Sequence, residues 1–135
     1  MILSIGLIVK NEEKYIEQCL QGLMPIINAI PSELIIVDTG STDRTIEIAR
    51  KFTTHVYEHR WTNDFAEMRN LVLSYCKGEW FFFVDGDEIL QDATGVINFF
   101  KKEKHHQYNS AFMQMKNILK SDKNEISVFQ AIRLF

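Results

Sequence analysis

Trp80-Phe81-Phe82-Phe83-Val84-Asp85-Gly86-Asp87-Glu88 runs five apolar residues straight into an acidic group. The run has no polar alternation, so it does not suit a sheet with one wet face; it suits a strand buried on both faces, as in a parallel sheet covered by helices. At its end two aspartates flank one glycine. Two carboxylates held ~4 Å apart repel by ~4 kcal/mol at an effective dielectric near 20. A divalent cation turns that repulsion into attraction, and hard ions such as Mg2+ or Mn2+ prefer carboxylate oxygen. Gly86 lets the backbone bend and a ligand come close. Asp and Gly are equally at home in a plain β-turn, and were the segment extended, the side chains of Asp85 and Asp87 would point the same way. Residues 80–88 alone leave turn and metal site even.

Working outward, residues 2–9 form a second apolar, β-branched run, followed by Lys10-Asn11. Asn11 reads as the cap of a helix starting at Glu12, with Ile16, Cys19, Leu20 and Leu23 on its buried stripe. Pro25 predicts that this helix stops or kinks there. Residues 33–38 read as a strand closing on Asp38. Ser41 reads as the cap of the next helix, with Asp43 in its first turn and Ile46, Ala49 and Phe52 on its buried face. Residues 54–59 form a short polar strand near a sheet edge. Asn63 or Asp64 then caps a helix through Cys76, whose stripe is Phe65, Met68, Leu71, Val72 and Tyr75, with Gly78 stopping it. A further helix is predicted over 94–104. Residues 109–119 and 125–135 read as a C-terminal hairpin about a polar turn at 120–124.

Strands alternating with helices imply an α/β fold with a mostly parallel sheet, right-handed crossovers and helices on both faces. In such sheets ligands bind beyond the carboxyl ends of the strands. Three polar groups fall there: Lys10-Asn11-Glu12, Asp38, and Asp85-Gly86-Asp87. The segment Asp38–Asp43 is not a phosphate-binding P-loop, and no G-x-G-x-x-G follows the first strand. The usual ATPase and dinucleotide readings fall away. An Asp ending the second strand can take hydrogen bonds from a ribose or a base.

The bulk numbers narrow the class. With 135 residues, 46% hydrophobic and 24% charged, the chain is globular and of one-domain size. A net charge of −3 argues against a nucleic-acid partner. Cys19 and Cys76 match no zinc or redox spacing and read as buried, reduced thiols. Residues 2–9 read as a core strand rather than a leader, and no apolar stretch approaches the ~20 residues of a membrane span. A cytoplasmic protein is expected, with peripheral attachment at the inner face of the membrane left open.

V-D-T-G-S-T-D at 37–43, A-E-M-R-N at 66–70 and F-V-D-G-D at 83–87 together resemble the bacterial inverting glycosyltransferases of family 2, with the GT-A (Rossmann-like) fold. V-K-N-E-E at 9–13 is similar to the Asn-Glu pair of that family's first loop. W-T-N-D-F-A-E-M-R-N at 61–70 resembles the branch that includes lipopolysaccharide-core glucosyltransferases and peptide glycosyltransferases. The likeness covers residues 2–90; beyond it only Arg133-Leu134-Phe135 resembles a family element.

The resemblance implies strand order 3-2-1-4 and a metal-dependent transfer of a sugar, by direct displacement at the anomeric carbon, from a nucleotide sugar such as a UDP-sugar. The acceptor would be a glycan, a lipid-linked sugar or a peptide. It implies that Asp38 contacts the uracil or ribose, and that Val9, Asn11 and Glu12 line the nucleoside pocket. Arg69 would lie beneath the diphosphate or base, Asp85 at the ribose or the metal, and Asp87 on the Mg2+ or Mn2+ of the diphosphate. Asn11 reads equally well as a helix cap, and Arg69 could pair with Glu67. Trp61 and Phe65 read as core or loop anchors. After residue 90 no convincing general base appears; the expectation is a donor-binding part whose base and acceptor-binding part lie beyond Phe135, with an exposed apolar patch able to drive homo-oligomer formation. Two other classes compete: a non-catalytic nucleotide-sugar-binding module, and, distantly, a haloacid-dehalogenase-like phosphatase, whose D-x-D motif sits nearer the N-terminus.

Overall fold

The structure is a computed structural model that describes residues 1–90, 92–108, 110–118 and 126–135. In chain order it comprises β1 (Leu3–Val9), α1 (Ile16–Ala29), β2 (Ser32–Asp38), α2 (Thr45–Ala49), β3 (Val56–Glu58), α3 (Phe65–Tyr75), β4 (Trp80–Phe83), β5 (Glu88–Ile89), α4 (Thr94–Lys101), a 3-10 turn (Lys104–His106), β6 (Ala111–Ile118) and β7 (Ile126–Leu134). The described strands form one sheet in the order β3-β2-β1-β4-β7-β6-β5. The β3-β2-β1-β4 half is parallel. The β7-β6-β5 half joins it antiparallel, Leu134 opposite Phe82. The expected parallel sheet in order 3-2-1-4 is therefore present. The hairpin is seen in β6 and β7, while its turn at 120–124 lies outside the described residues.

Alternation along each buried strand feeds two cores. Leu3, Ile5, Leu7, Ile36, Trp80, Phe82 and Val84 face α1 and α4. Ile35, Val37, Phe81 and Phe83 face Met68 and Val72 of α3. All five apolar residues of 80–84 are buried, which is why the run could not alternate: both of its faces lie under helices.

Several local expectations change. Asn11 sits at φ 51, in the left-handed region. A helix cap needs extended backbone, so Asn11 cannot serve as one, and α1 begins at Ile16 after a turn in which the Glu12 carbonyl accepts from Tyr15 and Ile16. Ser41 is likewise no cap, because α2 starts only at Thr45, where Asp43 accepts from the Thr45 backbone N–H. Asp64, not Asn63, caps α3 by accepting from the Glu67 N–H; Asn63 is left-handed at φ 62. Phe65, placed on that helix's buried stripe, is 49% exposed. The last helix ends at Lys101, because Glu103 turns left-handed at φ 58.

Of the stop or kink expected at Pro25, the stop does not occur: α1 runs through Pro25 to Ala29. Pro25 and Gln21, whose carbonyl loses its intrahelical donor, are both exposed, while Leu23 and Ile26 are anchored in the core. Burial on one face holds the helix together, and water serves the orphan carbonyl on the other. Pro25→Ala restores the missing N–H, and a thermal melt is expected to show stabilisation of roughly 1–2 kcal/mol. A lower melting temperature would mean that the proline fits a helix geometry alanine does not share.

Candidate functional site

The polar groups predicted at the strand ends meet at the carboxyl edge. β1 and β2 are in register to their last residues, Val9 opposite Asp38, so the loops that follow leave the sheet side by side. They are laced together by side chains. The Asn11 N–H donates to Ser41 Oγ at 2.8 Å, and Asn11 Oδ1 accepts from the Thr42 N–H at 2.8 Å. The Glu12 N–H donates to Thr45 Oγ1 at 2.8 Å, and the Arg44 N–H donates to Glu13 Oε2 at 3.0 Å. The Thr39 N–H and hydroxyl both donate to the Val9 carbonyl. Burial works against the Asp43 charge, but hydrogen bonds from Thr45 and Glu13 outweigh it and hold that carboxyl below its usual range.

Asp38 is 1% exposed. Its Oδ1 accepts from the Gly40 and Ser41 N–H groups at 2.9 and 2.8 Å, and its Oδ2 accepts from the Ser41 hydroxyl. Its carboxylate is turned into its own loop and sets the shape of the strand end.

The third group closes against the first. Asp85 to Glu88 is a turn, with the Glu88 N–H donating to the Asp85 carbonyl at 3.0 Å and the Asp85 N–H donating to Glu88 Oε1 at 2.8 Å. The segment is not extended, so it is the turn, rather than strand pleating, that aims the two aspartates. A Cβ on Gly86 would stand 3.1 Å from Val9 Cγ1 and 3.2 Å from Glu12 Cγ, so the glycine lets this turn sit against the first loop without displacing those two side chains. Glu88 is 1% exposed and locks the turn from within.

Beneath the turn, the Cys19 thiol of α1 donates to the Asp85 carbonyl at 3.4 Å. Burial and then the charges of Glu88, Asp87, Asp85 and Glu12 push this thiol far above its ordinary range. It is therefore protonated. Among the described residues no group of three or more His, Cys, Asp or Glu side chains is already arranged as a metal cage. Carboxylate oxygen is the donor type that suits Mg2+ or Mn2+, and Glu88, Asp87, Asp85 and Glu12 are the carboxylates whose charges reach Cys19.

Arg69 approaches from the other face of the sheet. Its guanidinium lies over the rings of Phe83 and Phe135, at 5.1 and 5.0 Å from their centroids, a cation–π clamp at the end of β4 rather than the pairing with Glu67 that its helix would allow. Phe135 is held there by two backbone hydrogen bonds with Phe81.

A cleft of about 280 Å³ opens where these loops meet, lined by Ile8, Val9, Lys10, Glu12, Thr39 and Trp61. Val9 and Glu12 were legible from the sequence; Thr39 and Trp61 were not. Trp61 belongs to the loop between β3 and α3, far from 8–12 in sequence, and no periodicity links them.

Comparison with known proteins agrees with this geometry. A match to Glycosyl transferase family 2 covers residues 4–125. Glycosyltransferase SunS of Bacillus subtilis is 37% identical over 64% of this chain and 20% of its own. The lipopolysaccharide core biosynthesis glycosyltransferase LpsC of Rhizobium meliloti is 30% identical over 67% of this chain and 33% of its own. Among solved structures, S. aureus TarS 1–349 in complex with UDP-GlcNAc superposes with a TM-score of 0.62 at 26% identity, covering 83% of this chain and 33% of that one. Glucosyl-3-phosphoglycerate synthase from Mycobacterium tuberculosis, in complex with Mg2+ and UDP, gives 0.59 at 25% identity, over 70% and 36%. The chain thus spans a fifth to about a third of the length of these proteins. Among the described residues no helix is long and apolar enough to cross a membrane.

Proposed function

This chain belongs to glycosyl transferase family 2, and from that premise we propose that residues 1–135 form the donor-binding part of an enzyme that moves a sugar from a UDP-sugar to a glycan, lipid-linked or peptide acceptor, with Mg2+ or Mn2+. The observation that carries this reading is the seating of the Asp85–Glu88 turn against Val9 and Glu12, two residues that also line the cleft at the ends of β1 and β2. The two solved neighbours whose complexes contain UDP or UDP-GlcNAc support the donor class.

In this proposal the nucleoside occupies the cleft at the ends of β1 and β2. Val9 supplies apolar contact, Asn11 holds the two loops together, and Asp38 shapes the base end by fixing Gly40 and Ser41. Asp87 and Asp85 would hold the divalent cation, and Glu88 keeps their turn in place. A cation there would neutralise charge on the departing diphosphate. Arg69, steered by its two aromatic rings, adds positive charge from the α3 side. The family match sets aside the phosphatase reading.

Calorimetry tests the donor assignment. Uridine diphosphate is expected to bind, and to bind more tightly with Mn2+ or Mg2+ than without. Asp38→Ala should weaken binding both with and without the cation, because the loop it holds does not depend on the ion. Tighter binding of guanosine or adenosine diphosphate would overturn the uridine assignment while leaving the family untouched. Donor binding without any transfer to candidate acceptors would instead favour a binding module.

A further inference from the structure

Trp61 was expected to be an anchor in a core or loop, yet it is 37% exposed and forms one wall of the cleft. The backbone explains how it gets there. β3 ends at Glu58, Asn63 turns left-handed, and Asp64 starts α3, so residues 59–62 fold back over the ends of β1 and β2. On one side the indole meets Phe65 at 6.5 Å between centroids, tilted by 57°, and Phe65 in turn stands edge-on to Phe83 at 6.0 Å. That row of rings braces Trp61 from behind. Ile8, Val9, Lys10, Glu12 and Thr39 complete the lining.

The lining therefore combines an indole with two aliphatic side chains and three polar ones. The indole, Ile8 and Val9 offer nothing to a diphosphate, whose charge Lys10 alone of this lining would meet, and the proposed cation ligands Asp85 and Asp87 are not among the lining residues. A flat, uncharged, polarisable ring gains most, by stacking on the indole while its edge meets the polar side chains. At about 280 Å³ the cleft falls just below the usual range for whole ligands, which suits the nucleoside end of a donor whose diphosphate and sugar extend beyond it. We propose that Trp61 is the stacking platform for the nucleobase of the donor. This inference rests on the donor-binding reading above and adds the residue that holds the base.

The test uses Trp61→Ala, Trp61→Leu and Trp61→Phe, with uridine, uridine diphosphate and a UDP-sugar as probes. Trp61→Ala is expected to weaken uridine and uridine diphosphate alike, by about 5- to 100-fold, the range that loss of one base–aromatic stack produces. Trp61→Leu should behave like Trp61→Ala, because bulk without a π-face does not stack; Trp61→Phe should stay within roughly 3-fold of the parent. Stacking should also quench indole emission when uridine is added. That quench should vanish in Trp61→Phe, since Trp80 is buried in the core. If Trp61→Ala fails to fold, as judged by circular dichroism, the leucine and phenylalanine variants still carry the comparison.

Unchanged uridine affinity in Trp61→Ala, or full affinity in Trp61→Leu, overturns the proposal while the donor assignment stands. So does a loss confined to the UDP-sugar with uridine diphosphate unaffected, which would make the indole a sugar platform. If the parent protein binds no uridine diphosphate, the donor reading itself fails, and this inference with it.

Discussion

Replacing Asp87 with asparagine is expected to abolish the response of uridine diphosphate binding to Mn2+, while the unliganded protein melts at the same temperature or slightly higher. Asparagine keeps the size and one oxygen of aspartate but removes a full charge. Asp85 lies two residues away and Glu88 is the next residue, so removing one of these like charges lowers their repulsion when no cation is bound. With a cation present the balance reverses. An oxygen ligand has lost its charge, and the ion's affinity should fall by roughly 100-fold, at the upper end of what is measured when even a supporting partner of a metal ligand is lost. Binding of the nucleoside in the Trp61 cleft should persist, so the variant should bind uridine diphosphate about as the parent does in chelator. An aspartate that serves only the turn predicts the reverse: a clear drop in melting temperature and an undiminished metal response. Thermal melts and titrations with and without Mn2+ separate these outcomes.

The second large effect lies at the other end of β4 and concerns stability alone. A Cβ on Gly78 would stand 2.6 Å from the Ser4 nitrogen and 2.7 Å from the Leu3 carbonyl carbon. Both atoms belong to the backbone of β1, hydrogen-bonded on each side to β2 and β4. Neither can move without breaking a ladder. Gly78 is also tied in place: its N–H donates to Ser4 Oγ at 2.8 Å, and Ser4 Oγ donates to Glu33 Oε1 at 2.6 Å. Gly78→Ala should therefore cost about 2–4 kcal/mol, seen as a fall of roughly 6–16 °C in melting temperature. Gly95→Ala is the control, since nothing lies within 4 Å of its would-be Cβ and it sits inside α4, where alanine is the better helix former. It should be neutral or stabilising. Gly78→Ala should still bind uridine diphosphate well below its melting point, because the change is remote from the carboxyl edge. An unchanged melting temperature would show that β1 and the α3–β4 loop are less tightly joined than these distances imply.

The helix-stop reading had assigned Gly78 to the end of α3, and the contrast shows where residue patterns lose their grip. The buried strands were legible because burial on both faces leaves one kind of sequence: residues 80–84 and 2–9 admit almost no polar side chain. The amphipathic stripe of α1 was legible for the same reason, and so were the acidic residues at strand ends, since polar groups next to such runs must lie at an edge. Boundaries and caps were less so. Asn11 and Ser41 are plausible caps by residue type, but the parallel register of β1 and β2 sets their loops side by side, and there the two meet each other across the gap rather than capping a helix, while Asp43 bonds both Thr45 of its own helix and Glu13 across the gap. The Asp85–Glu88 turn depends on a carboxylate three residues on, and Gly86 on Val9 and Glu12, more than seventy residues earlier in the chain. Trp61 is the extreme case. Its residue type permits core, loop or ligand wall, and only the path of the chain from β3 to α3, which brings it to the same cleft as Ile8 and Val9, makes it part of that lining. Composition and periodicity specify which surfaces must leave water; which side chains then meet across the sheet's edge follows from strand order and register, contacts that no local run of residues encodes.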